Sequence, residues 1–88
     1  MIYKVTLSPA AYCQLNDLPR PDQRRIQGRI ERLSTNPRPP TANVIHGGRG
    51  ILRIRVRDYR IIYNVEDDLL IVLVIRIGHW REIYRRMR

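Results

Sequence analysis

The sequence predicts an α+β domain, with a leading strand, a helical hairpin, a three-stranded antiparallel meander and a short C-terminal helix. Three observations carry that expectation. Leu52, Ile54 and Val56 alternate with Arg53, Arg55 and Arg57, the period-two pattern of a strand with one buried face. Two consecutive segments with helical apolar spacing lie near the start of the chain. The run Leu69 to Ile75 is apolar at every position, as expected of a central strand covered on both faces.

Taken in order, Ile2 to Leu7 reads as the first strand. Ser8-Pro9 places an N-cap residue ahead of a proline suited to the first helical position. The helix that follows turns Ala11, Leu15 and Leu18 inward and closes at Leu18-Pro19. Pro21 opens a second helix, whose stripe is Ile26, Ile30 and Leu33, with Arg24, Arg25, Arg29 and Arg32 elsewhere around it. The segment Asn36 to Gly50, containing the run Asn-Pro-Arg-Pro-Pro, reads as an irregular loop. The arginine-striped strand then turns at Arg57-Asp58 into a second strand, Tyr59 to Val65. Glu66-Asp67-Asp68 turns the chain into the apolar strand, which Gly78 is expected to end. His79 to Met87 reads as a basic helical tail.

A chain of 88 residues is expected to form one domain over residues 1–88. Cys13 is the only cysteine, which excludes an internal disulfide and a thiolate zinc site and fits a reducing compartment. Two histidines far apart in sequence argue against a dedicated metal site, so no metal or cofactor is expected. The N-terminus lacks the apolar core of a signal peptide, and the longest apolar run is too short to span a bilayer. A cytoplasmic protein without membrane partners is the expectation.

Charge narrows the partner class. Seventeen basic residues against eight acidic ones give a formal net charge of +9, and every basic residue except Lys4 is arginine. Guanidinium presents a planar fork of donors matched to phosphate oxygens, so nucleic acid and acidic protein are the two partner classes that fit.

A two-residue hairpin at Arg57-Asp58 sets Val56 opposite Tyr59, Ile54 opposite Ile61 and Leu52 opposite Tyr63 on one face. On the other face it sets Arg55 directly opposite Arg60, with Arg53 one step along. Like charges directly across a sheet are destabilising, and a bound phosphate relieves them through charge-assisted hydrogen bonds worth ~1.5–3 kcal/mol each. The alternative is a solvated polar face that does no more than keep one side of the sheet wet.

The layout, the loop ending Gly47-Gly48, the stretch Tyr59-Arg60-Ile61-Ile62-Tyr63 and the tail Gly78-His79-Trp80-Arg81-Glu82-Ile83-Tyr84-Arg85 together resemble the RelE/ParE superfamily of prokaryotic toxin–antitoxin pairs. In its RelE-like branch the resemblance implies ribosome-dependent endoribonuclease activity on messenger RNA. It also implies a cognate acidic, amphipathic antitoxin of RelB type. By position, the catalytic set it implies is Arg53, Arg55, Arg60, Arg81 and Tyr84. Arg81 stands in for an arginine that relatives carry one position earlier, where this chain has Trp80. Arg57, His79, Trp80, Arg85 and Arg86 are the implied RNA contacts.

The implied reaction is metal-free: the ribose 2′-OH attacks its own 3′-phosphate, giving a cyclic phosphate and a free 5′-OH. It needs a proton acceptor, donors to the phosphorane oxygens and a proton donor for the leaving oxygen. Arginine suits the second role and not the first, because it stays protonated. Relatives often carry lysine at the positions of Arg53 and Arg55, so the base here is open between Tyr84 and His79, with Tyr84 alternatively stacking on a splayed RNA base. Two further readings are a non-enzymatic gyrase inhibitor of ParE type and a non-catalytic basic RNA-binding module.

Overall fold

The structure is a computed structural model and describes residues 2–45, 50–79 and 81. The described residues run β1 (Lys4–Leu7), α1 (Pro9–Asn16), α2 (Arg20–Arg32), β2 (Asn43–Val44), β3 (Ile51–Val56), β4 (Tyr59–Glu66) and β5 (Ile71–His79). The strands form one five-stranded sheet in the order β1-β5-β4-β3-β2. The meander β3-β4-β5 is antiparallel, while β1 lies parallel to the far side of β5.

Local chemistry places the helices. The Ser8 hydroxyl accepts the Ala11 N–H at 3.0 Å, which caps α1, and Pro9 fills its first turn. Both helices lie on one face of the sheet. Ala11 and Leu15 of α1 and Ile26 and Ile30 of α2 are buried with Leu33, and the sheet supplies Leu52, Ile54, Val56, Ile61, Tyr63, Val65, Val72, Val74 and Ile77 to the same core. The largest buried side chain, Tyr63, donates its hydroxyl to the Pro37 carbonyl at 2.8 Å, and burial pushes its phenol up to about 12. The proline-rich segment is tied down a second time where Arg38 forks onto Asp67 at 3.0 and 2.7 Å.

The sequence reading is corrected at four places. The segment read as irregular loop contains β2, whose Asn43 and Val44 pair with Arg53 and Leu52. Two exposed residues carry no periodicity that could have announced it. The last strand begins at Ile71, because Leu69 and Leu70 belong to the turn, Leu70 at φ 53° and its N–H bonded to the Asp67 carbonyl at 3.3 Å. Gly78 does not end the strand; it pairs with Arg60, and β5 runs on to His79. Finally, β5 is an interior strand, the two described helices both lie on one of its faces, and Leu73 on its other face is 37% exposed. Of the expected tail helix, His79 belongs instead to β5, Arg81 is described, and the other residues lie outside the described residues.

A candidate nucleic-acid interface

The hairpin joining β3 to β4 is a two-residue turn, with Val56 opposite Tyr59, Arg55 opposite Arg60, Ile54 opposite Ile61 and Leu52 opposite Tyr63. Such turns need a positive φ, for which arginine is a poor choice, and Arg57 adopts φ 56°. That conformation costs an L-residue roughly 1–2 kcal/mol, so the surrounding pairing imposes it. The inward residues Leu52, Ile54, Val56 and Ile61 are all below 8% exposed, which leaves Arg53, Arg55 and Arg60 on the face opposite the helices.

On that face the structure adds a fourth cation, Arg76, which sequence reasoning did not single out. Val72 and Val74 of β5 point into the core, and unbroken alternation would send Arg76 after them. A β-bulge intervenes: Tyr63 pairs with Val74 but Ile62 pairs with Arg76, leaving Ile75 as the extra residue. The phase inverts, Ile77 becomes the buried residue, and Arg76 turns outward. Helix α1 and its cap hold the bulge in place. Ser8 Oγ donates to the Ile75 carbonyl at 2.7 Å, and Gln14 Oε1 accepts the Ile77 N–H at 2.7 Å.

The register therefore builds a small lattice on the face opposite α1 and α2. Across the three strands, one row reads Arg53, Ile62, Arg76 and the next reads Arg55, Arg60, Gly78. Ile62 is 4% exposed although it belongs to no part of the core cluster. Arg53 and Arg76 flank it, and arginine stems are long enough to roof an apolar side chain while leaving the charged head in solvent. Gly78, the cross-strand partner of Arg60, contributes no side chain to that row. The Arg60 guanidinium folds toward the hairpin end, Nη1 donating to the carbonyls of Tyr59 at 3.2 Å and Arg57 at 3.5 Å. No aspartate or glutamate stands in either row.

The other singled-out residues fall elsewhere. His79 pairs with Tyr59 on the helix side, its ring edge-on to the Tyr59 ring at 6.2 Å and 77°, and its Nδ1 accepts the Arg81 N–H at 3.3 Å. Tyr59 in turn donates to Asp22 Oδ2 at 3.2 Å, and Asp22 pairs with Arg25 at 3.2 Å. The hairpin end is thus fastened to the first turn of α2. Arg57 and Arg81 are exposed. Trp80, Tyr84, Arg85 and Arg86 lie outside the described residues.

Among the described residues no cluster of three or more metal-ligating side chains occurs, and no helix is long and apolar enough to cross a membrane. The arrangement can do one thing well. Four arginines on neighbouring strands can present donors to the oxygens of a phosphodiester and to the extra charge of its pentavalent state.

Comparison with known proteins bears on the fold and the family. The family model for the ParE toxin of type II toxin–antitoxin systems matches residues 5–84. No curated protein matches the chain in sequence. Among solved structures, the chain is similar to a doubly substituted variant of the Escherichia coli toxin RelE in its free state, with a TM-score of 0.81 at 24% identity over 97% of this chain and 93% of that one. It is similar to the RelBE2 toxin–antitoxin complex of Mycobacterium tuberculosis, with a TM-score of 0.79 at 22% identity over 90% of this chain and 92% of that one. It is also similar to the archaeal RelE–RelB complex of Pyrococcus horikoshii, with a TM-score of 0.77 at 24% identity over 90% and 96%.

Proposed function

This chain belongs to the ParE toxin family of type II toxin–antitoxin systems, and from that premise we propose that it is a toxin that cleaves messenger RNA on the ribosome. The observation that carries the reading is the lattice of Arg53, Arg55, Arg60 and Arg76 around Ile62 and Gly78, on the sheet face opposite α1 and α2. A surface whose only task is to stay wet gains nothing from setting Arg55 directly against Arg60, whereas a phosphate between them turns repulsion into paired donors.

In this reading the scissile phosphate sits over Gly78, beside its cross-strand partner Arg60. Arg53, Arg55, Arg60 and Arg76 neutralise the phosphorane, and Arg81, three residues beyond Gly78, supplies a further donor to it. Tyr84 is assigned as proton acceptor for the 2′-OH. His79 is less suited, since its register sets it on the helix face beside Tyr59 and its Nδ1 is already engaged by the Arg81 N–H. Trp80, Arg85 and Arg86, with Arg57 at the hairpin end, extend the grip on RNA. The products are a 2′,3′-cyclic phosphate and a 5′-OH, with no metal required.

A cognate antitoxin follows from the same reading. The structural relatives include complexes of RelE with RelB, and an acidic, amphipathic segment of RelB type complements a chain of net charge +9. The cytoplasm, where messenger RNA is translated, is the proposed compartment.

The second reading is a ParE-type inhibitor of DNA gyrase, favoured by the description of the matching family model. One pair of assays separates the two. Purified protein added to a translating extract is expected to leave message cut within codons and bearing cyclic phosphate ends. Inhibition of gyrase supercoiling with the message intact would reject the nuclease reading.

A further inference from the structure

A second group of arginines lies on the helix side of the molecule, away from the lattice. A cleft of about 410 Å³ opens between α2 and the hairpin end, and Arg24, Arg25, Arg29, Arg32 and Arg57 line it, with Gly28 in its floor. Its one apolar side chain is Val56, which the core already claims at 7% exposure. Among the described ion pairs only Asp22, on Arg25, offsets any of these charges.

Two features of this cleft oppose the stability of the fold. Arg25 and Arg29 lie one helical turn apart, where like charges repel, and Arg29 and Arg32 are again neighbours on the helix surface. Gly28 stands in the interior of α2, where glycine is among the poorest helix formers. No close packing calls for it, since a Cβ added there would meet nothing within 4 Å. A glycine with open space above it lets a ligand approach the helix backbone between arginine side chains.

We propose that this cleft is a second binding site, outside the sheet-face lattice, for the phosphodiester backbone of single-stranded RNA. The lining decides between RNA and an acidic polypeptide. An amphipathic partner helix needs apolar anchor pockets at helical spacing, and here only guanidinium heads and their stems are offered. A phosphodiester chain needs only donor forks. Arg57 joins the cleft to the other face: its carbonyl accepts from Arg60 Nη1 at 3.5 Å, so one strand can follow a belt of arginine around the hairpin end.

The experiment measures binding of the full-length protein to a short 2′-O-methylated RNA by fluorescence anisotropy across a salt series. The probe lacks the attacking hydroxyl, so the outcome is independent of whether the protein cleaves. Each lost phosphate contact lowers the slope of log K against log salt by about 0.7, so the Arg29→Gln/Arg32→Gln variant is expected to lose about 1.4. Lys4→Gln/Arg20→Gln removes two charges outside the cleft and is expected to leave the slope near wild type. Gly28→Leu changes no charge; it is expected to raise the melting temperature and, by filling the floor, to weaken binding about tenfold, the equivalent of ~1.4 kcal/mol. Equal losses from the two double variants, or wild-type affinity in Gly28→Leu, would overturn the proposal. So would a polyglutamate peptide that displaces the probe at lower concentration than unlabelled RNA of equal charge.

Discussion

Arg55 and Arg60 are direct cross-strand partners on the sheet face opposite both helices. The pair is a local conflict within an otherwise consistent hairpin, since the apolar partners on the reverse face, Ile54 with Ile61 and Val56 with Tyr59, all suit burial. In the proposed function an anion resolves that conflict, which makes function and stability separable by substitution.

Arg55→Thr tests that separation. Threonine suits a strand and removes the repulsion, so stability at low salt is expected to rise by roughly 0.2–1 kcal/mol, with the gain shrinking as salt screens the wild-type pair. RNA affinity is expected to fall in the same variant. Urea melts at two ionic strengths alongside binding isotherms read both quantities. A variant that is less stable at low salt would mean that Arg55 and Arg60 already share a partner and are not waiting for one.

Arg76 offers the sharper functional test, because its one structural task, sheltering Ile62, is shared with Arg53. Truncating Arg76→Ala is expected to leave stability within about 0.5 kcal/mol of wild type. If the side chain contributes one charge-assisted hydrogen bond to the phosphorane, worth ~1.5–3 kcal/mol, cleavage falls roughly ten- to a hundredfold. A wild-type cleavage rate in a normally folded Arg76→Ala protein would remove Arg76 from the site.

How much of this was legible beforehand follows from where periodicity survives. Arg55 opposite Arg60 could be read from sequence, because period two is unbroken from Leu52 to Tyr63 across a two-residue turn. The Ser8 cap was equally legible, since the residue types at a helix start are few. Arg76 was not. Its outward position depends on the bulge at Ile75, which rests on Ser8 and Gln14 from distant parts of the chain. The parallel docking of β1 on β5 is likewise a long-range pairing that no local pattern announces. The α2 arginines were visible as residues, but a cleft requires knowing that Arg57 and Val56 come up against them.

Acid should loosen one particular tie. Asp67 accepts from Arg38 and from the Tyr3 hydroxyl at 2.7 Å, and these hydrogen bonds, with Arg38 first, hold its carboxyl down to about 2. The folded value lies below the unfolded one, so the stabilisation is fully present above the ordinary carboxylate range and is lost as pH falls toward 2. Asp67→Asn is expected to flatten that part of the acid limb in melting temperature against pH while leaving the neutral-pH value slightly reduced, the tie being solvent-exposed. An acid limb identical to wild type would show that other carboxylates dominate it.

The bulge itself rests on Gln14, whose Oε1 accepts the Ile77 N–H where the register between β4 and β5 has just shifted. In Gln14→Leu that N–H loses its acceptor while the Ile77 side chain stays at 1% exposure, and a buried unsatisfied donor costs ~1–3 kcal/mol. Gln14→Glu keeps an acceptor and is expected to lose less. Because the bulge sets the phase of β5, the leucine variant should also lower RNA cleavage although Gln14 lies on the opposite side of the sheet from the arginines, with residual activity tracking the altered position of Arg76. Amide hydrogen exchange at Ile77, compared among the three proteins, reads the local event directly. Wild-type protection there in the leucine variant would show that the strand finds another acceptor and that the bulge does not need Gln14.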